Sequence, residues 1–171
     1  MSLNVAYIAL GSNLGKRLEQ MQSAVERLAE KPELTILHIS PIYENRAIGM
    51  GDADPFLNAV AKLETSLAPE ALLDVCLAVE DDLKRVRAES WIPRTIDIDL
   101  LVYEGVEIES EKLILPHPEI QARDFVARPL MDIAPDLVLR GKTIDEWVGA
   151  LPLVELMLYP KQILLPKPKV L

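Results

Sequence analysis

Cysteine is nearly absent from this 171-residue chain. Cys76 stands alone, so no internal disulfide can form, and nothing points to an oxidising compartment. Aromatic residues are scarce at 5%, and Phe56 and Phe125 are the two phenylalanines. No apolar run approaches the ~20 residues that a membrane span needs, and residues 1–10 show no cationic stretch ahead of an apolar one. A soluble, cytoplasmic protein is therefore expected, as a monomer or weak homodimer. Basic residues are the minority, 18 against 27 acidic, for a net charge of −9. That balance argues against sequence-blind binding to nucleic acid phosphate but leaves room for one basic pocket that takes a small anion. There is no internal repeat, no Gly/Ser linker and no GxxxxGK[ST] phosphate loop. Half the residues are hydrophobic, enough for one real core, and a single domain over 1–171 is expected.

Residues 5–10 (VAYIAL) form a compact apolar run that ends in Gly11-Ser12-Asn13, which predicts a buried strand and a turn. Residues 16–30 carry Leu18, Met21, Val25 and Leu28 at helical spacing, and Pro32 stops them. Residues 35–43 (TILHISPIY) predict one strand, with Pro41 placing it at an edge or bulge. The stretch 44–55 is rich in glycine and aspartate and predicts a loop. Residues 56–65 return as a strand with Phe56, Asn58, Val60, Lys62 and Glu64 on one face.

Pro69 opens a second helix to about Lys84, with Leu72, Val75, Cys76, Val79 and Leu83 as its apolar stripe. Residues 96–103 form a strand, and short helices are expected near 124–133 and 144–151. The β-α-β-β-α-β order is that of an α+β ferredoxin-like sandwich with C-terminal additions. The core is expected over about 4–140, and 141–171 is an extension whose last part, 151–171, is too apolar for a free tail and should dock in extended form.

The chemistry is concentrated in residues 84–101 (KRVRAESWIPRTIDIDLL). Strand geometry with a period of two points Asp97 and Asp99 to one face, while Ile96, Ile98 and Leu100 turn to the core. Two carboxylates on a rigid strand suit Mg²⁺, which takes one or two carboxylates and completes its shell with water and phosphate oxygens. A solvated sheet face would look the same. The basic residues Lys84, Arg85, Arg87 and Arg94 alongside favour a metal–polyphosphate complex over that reading, since guanidinium groups meet the oxygens a metal leaves free. Simple surface pairing of these charges is the remaining alternative. His38, mid-strand among aliphatics, reads as structural, as does Trp147. Cys76 reads as core, and the 11–15 turn could lie beside the site or merely join strand to helix.

The run WIPRTIDIDLL, with YIALGSNLG before it, FLNAV in the middle and LPHPEIQARDFV after it, resembles the 6-hydroxymethyl-7,8-dihydropterin pyrophosphokinases of folate biosynthesis over residues 4–140. The resemblance implies a ferredoxin-like fold. It also implies transfer of the terminal pyrophosphoryl group of ATP to the pterin hydroxymethyl oxygen, with AMP as the other product. Asp97 and Asp99 would hold two Mg²⁺ ions. Arg85, Arg87 and Arg94 would act on the phosphates, with Arg87 and Trp91 on a closing loop. Glu80, Trp91, Lys112, His117 and Arg123 would contact ATP. Asn45, Arg46, Ile48, Phe56, Asn58 and Phe125 would bind the pterin, the two phenylalanines by stacking. Ile92 stands where the family usually has glycine, and Phe56 where tyrosine is usual. A diverged pterin- or nucleotide-binding paralogue, or another Mg²⁺-dependent phosphate-ester enzyme, are the competing readings.

Overall fold

The computed structural model describes residues 2–13, 15–45, 56–86, 96–151 and 156–167. The central strand β1 (Asn4–Ser12) pairs antiparallel with β4 (Phe56–Thr65) on one side and with β5 (Asp97–Tyr103) on the other. Beyond β4 lie β2 (Leu34–Ile39) and β3 (Tyr43–Asn45), both antiparallel to it. With the helices α1 (Arg17–Ala29) and α2 (Pro69–Val86), this completes the expected βαββαβ sandwich.

Strand β1 is covered on both faces, which is why its sequence reads as one apolar run rather than an alternation. Ala6, Ile8 and Leu10 pack with Met21, Val25 and Leu28 of α1 and with Leu72, Cys76 and Val79 of α2. Tyr7 and Ala9 face the opposite cluster, with Val60 of β4, Leu101 of β5, and Val126 and Leu130 of α3 (Asp124–Ile133). Each fully buried aliphatic side chain in these layers contributes about 1.5–3 kcal/mol of transfer free energy. Val75, expected in the α2 stripe, is only partly buried. His38 is solvent-facing on β2, where the β2–β4 register shifts. It lines neither of the two clefts described below.

The single strand expected over 35–43 is instead two strands. Pro41 has no N–H to give a ladder, and Ser40 takes over the pairing beside it. Its backbone N–H donates to Val60 O at 2.8 Å. Its hydroxyl accepts from the Val60 N–H at 2.8 Å and donates to Pro41 O at 2.9 Å. The break lets β3 restart against the other end of β4, with Asn45 opposite Phe56 and Tyr43 opposite Asn58.

After β5, a small ribbon of β6 (Ile108–Glu109) and β7 (Ile114–Leu115) leads through a 3-10 turn to α3. A second ribbon, β8 (Val138–Leu139) with β9 (Lys142–Thr143), precedes α4 (Ile144–Ala150). Trp147 of α4 donates its indole N–H to Leu139 O at 2.8 Å, so it packs as expected. The described part of the tail is docked: β10 (Leu156–Leu158) adds to the free edge of β3. Tyr159 N–H then donates to Ile42 O, and Gln22 clasps Leu164 through both its amide N–H and its carbonyl oxygen. Arg17 links the same region to α1 by its 3.0 Å pair with Glu44. Among the described residues, no helix is long and apolar enough to cross a membrane.

Candidate active site

Gly11 stands in the middle of one row of the sheet, opposite Asn58 of β4 on one side and Asp97 of β5 on the other. One step along β1, Ala9 lies between Val60 and Asp99. Small residues on the central strand and larger ones on its neighbours leave a trough on the α3 face of the sheet. A Cβ added at Gly11 would come within 3.3 Å of Asn58 Oδ1 and 3.9 Å of Phe56. The missing side chain is what keeps the floor open. The resulting cleft holds about 390 Å³ and is lined by Asn45, Phe56, Asn58, Asp97, Asp99, Arg123 and Phe125, among others.

Phe56 comes from β4 and Phe125 from the first turn of α3, so two aromatic side chains from different layers share this cleft. Asn58 is buried at 7% exposure, and its Nδ2 has no hydrogen-bond partner. An unpaired buried amide costs about 1–3 kcal/mol, which an acceptor entering the cleft would relieve. Behind the cleft, the Tyr43 hydroxyl of β3 donates to Asp132 of α3 and ties the helix to the sheet. Neither residue stands out in the sequence, because 89 positions separate them.

Burial first, and then Asp132, push the Tyr43 hydroxyl up to about 12 from 10.0. The folded state thus favours the neutral phenol. Its contribution is complete below pH 10 and is lost as pH rises through about 12. Urea midpoints should therefore fall between pH 10 and 12 more steeply for the native chain than for Tyr43→Phe; parallel curves would contradict the tie. At neutral pH, Tyr43→Phe should cost about 1 kcal/mol, the ordinary net value of one hydrogen bond.

A second cleft of about 430 Å³ lies on the outer edge of β5, between α2 and the 111–118 segment. Leu73, Leu77, Glu80, Lys112, Ile114 and His117 line it, and it shares Asp97 and Asp99 with the first cleft. Both aspartates are exposed, while Ile96, Ile98 and Leu100 are buried, which bears out the alternation expected on this strand. Partial burial, and more weakly Asp97, push the Asp99 carboxyl above its ordinary value, while His117 and Arg123 pull the other way. Burial also raises Glu80, which the Ile98 N–H and Lys84 partly offset. Burial, more than mutual repulsion, makes these two carboxyls resist ionising.

The His117 imidazole is held below its usual value by burial, against the pull of Asp99. Its Nδ1 accepts the Glu119 N–H at 3.2 Å, which in the neutral ring leaves the proton on Nε2. Lys112 pairs with Asp74 at 2.8 Å at the outer rim.

The sequence-derived residues thus fall into two groups. Asn45, Phe56, Asn58 and Phe125 meet in the first cleft, and Glu80, Lys112 and His117 in the second. Arg123, expected to contact the nucleotide, lines the first cleft, paired with Glu119 and 5.9 Å from the Phe125 ring centre. Arg85 lies in α2 with its side chain outside what is described. Arg46, Ile48, Arg87, Trp91, Ile92 and Arg94 lie outside the described residues, as does the closing loop expected there. The sequence left the 11–15 turn undecided; its first residue is part of the cleft floor. Ala9 carries no sequence signal of its own, since β1 also holds Ala6, Gly11 and Ser12.

Residues 7–135 match the family model of 7,8-dihydro-6-hydroxymethylpterin-pyrophosphokinase. The chain belongs to this family. Among its relatives is a 2-amino-4-hydroxy-6-hydroxymethyldihydropteridine pyrophosphokinase of Methylorubrum extorquens, 45% identical over 146 residues, which are 85% of this chain and 92% of that one. Another of the same name, from Pseudomonas aeruginosa, is 42% identical over 147 residues, covering 85% and 91%. Among solved structures, Plasmodium falciparum HPPK-DHPS with pteroate superposes with a TM-score of 0.68 at 16% identity, over 86% of this chain. A second HPPK-DHPS structure, in complex with substrates, gives 0.70 at 14% identity over 88%. This chain spans 42% and 43% of those two longer chains, and at such identity the likeness shows the pyrophosphokinase fold alone.

Proposed function

We propose that this chain transfers pyrophosphate from ATP to the hydroxymethyl group of 6-hydroxymethyl-7,8-dihydropterin, releasing AMP, as its pyrophosphokinase relatives are named for. The observation that carries this is the meeting of two unlike clefts on one pair of aspartates. One cleft has aromatic walls and an unsatisfied amide, suited to a flat heterocycle with hydrogen-bonding edges. The other is aliphatic on one side and charged on the other, suited to a nucleotide.

The donor set at the junction fits Mg²⁺. Among the described residues, no three His, Cys, Asp or Glu side chains converge as a complete metal cage. A Mg²⁺ ion held by two carboxylates and completed by ATP phosphates needs none. Asp97 and Asp99 would hold two such ions. When bound, they would supply charge neutralisation at the transferred group.

The remaining work falls to the protein side chains. Phe56 and Phe125 clamp the ring, and Asn58 Nδ2 donates to its edge, which turns the hydroxymethyl oxygen toward the aspartates. Asn45, with Arg46 and Ile48, completes that edge. Lys112 and the His117 Nε2–H hold the nucleotide, with Trp91 beside it. Arg85, Arg87 and Arg94 neutralise phosphate charge. The hydroxymethyl oxygen forms its bond to the β-phosphorus as the bond to the α–β bridging oxygen breaks. That electron pair leaves with AMP, and the hydroxyl proton passes to water. Positioning and electrostatics dominate such transfers, and no strong base is required.

The test is AMP formation from ATP and Mg²⁺ with and without the dihydropterin. AMP that depends on the pterin, and stops when the metal is chelated, is expected. ATP binding without AMP formation would make the chain a binding paralogue, and AMP formed without the pterin would mean another phosphate-ester enzyme.

A further inference from the structure

Among the described residues, strand β5 ends the sheet, with β1 on one side and no strand on the other. Peptide groups on its outer edge therefore need partners from elsewhere. At Ile98 the partner is a side chain: Glu80 Oε1 of α2 accepts the Ile98 N–H at 2.6 Å. Ile98 lies between Asp97 and Asp99, so this bond holds the stretch of main chain from which both carboxylates project. The Glu80 side chain is 15% exposed, and its other oxygen lies 4.0 Å from Lys84 Nζ. Both oxygens are thus engaged by the protein. A carboxylate placed near Asp97 and Asp99 adds unfavourable like charge, so a structural return is needed to offset it.

We propose that Glu80 is a positioning residue, fixing the Ile98 peptide and so the aim of Asp97 and Asp99, in place of the nucleotide contact that the family resemblance implies. This rests on reading the aspartate pair as the metal site. What the role requires is an acceptor oxygen at the right reach, and the negative charge is incidental.

Three substitutions separate reach from charge. Glu80→Gln keeps a carbonyl oxygen at the same length, Glu80→Asp keeps the charge but shortens the arm, and Glu80→Ala removes both. Amide hydrogen exchange at Ile98 should stay slow in the native chain and in Glu80→Gln, and quicken in the other two. Calorimetric Mn²⁺ affinity, measured with a non-hydrolysable ATP analogue, should drop about tenfold or more in Glu80→Ala and Glu80→Asp, as for lost outer-shell partners of other metal sites. It should stay within about twofold in Glu80→Gln. The reverse order, with Asp retaining affinity and Gln losing it, would overturn the proposal in favour of a charge contact. So would Mn²⁺ affinity unchanged in Glu80→Ala while Ile98 exchanges faster. Failure of the native chain to make AMP would overturn the functional reading instead, and the exchange and Mn²⁺ comparisons would still decide the role of Glu80.

Discussion

Asp97→Ala or Asp99→Ala should reduce pyrophosphoryl transfer by at least about a thousandfold in kcat/KM, about 4 kcal/mol of transition-state stabilisation. Each removes one of the two carboxylates at the junction of the clefts, leaving phosphate and metal charge poorly matched. The same substitutions should leave the fold intact. Both residues are exposed, and Asp97 is one of the groups that raises Asp99, so losing either relieves repulsion. Thermal midpoints should be unchanged or slightly higher while activity is lost. Calorimetry should also show ATP binding weakened sharply in the native chain when Mg²⁺ is withheld, because the phosphates then face carboxylates unscreened. Near-normal turnover in either variant, or equal ATP affinity with and without Mg²⁺, would remove the metal assignment.

Phe125→Ala should raise the KM for the pterin ten- to a hundredfold while changing that for ATP by less than about twofold. One stacking face on a base-like ring is worth about 1–3 kcal/mol. Phe125 is only partly buried against the core cluster beneath α3, and it lines the first cleft but not the second. The asymmetry between substrates is therefore the diagnostic. Parallel losses for both ligands, together with a lower urea midpoint, would make Phe125 a packing residue.

The sandwich was readable because each of its main elements announces itself locally. Helix α3 spans 124–133, where a short helix is expected, and α2 begins at Pro69, where a first-turn proline belongs. The aspartate pair was readable for the same reason: a period of two decides which way Asp97 and Asp99 face whatever the sheet is packed against. The split of 35–43 was not, since beside Pro41 the pairing passes to Ser40, which bonds to Val60 on a strand that arrives 20 residues later.

By itself, then, the sequence determined the βαββαβ order, the buried central strand, the paired carboxylates and the family. Those are properties of spacing and of short motifs. Tertiary structure alone decided that the site has two clefts divided at Asp97 and Asp99, and that Arg123 lies with the aromatics rather than with Lys112 and His117. It also decided that Glu80 reaches the Ile98 N–H, that Tyr43 finds Asp132, and that the tail supplies a strand to β3. The physical reason is common to all of these. A hydrogen bond or a cleft wall depends on which chain segments become neighbours, and segments 18 or 89 residues apart, or farther still for the tail and β3, carry no local periodicity that records the meeting.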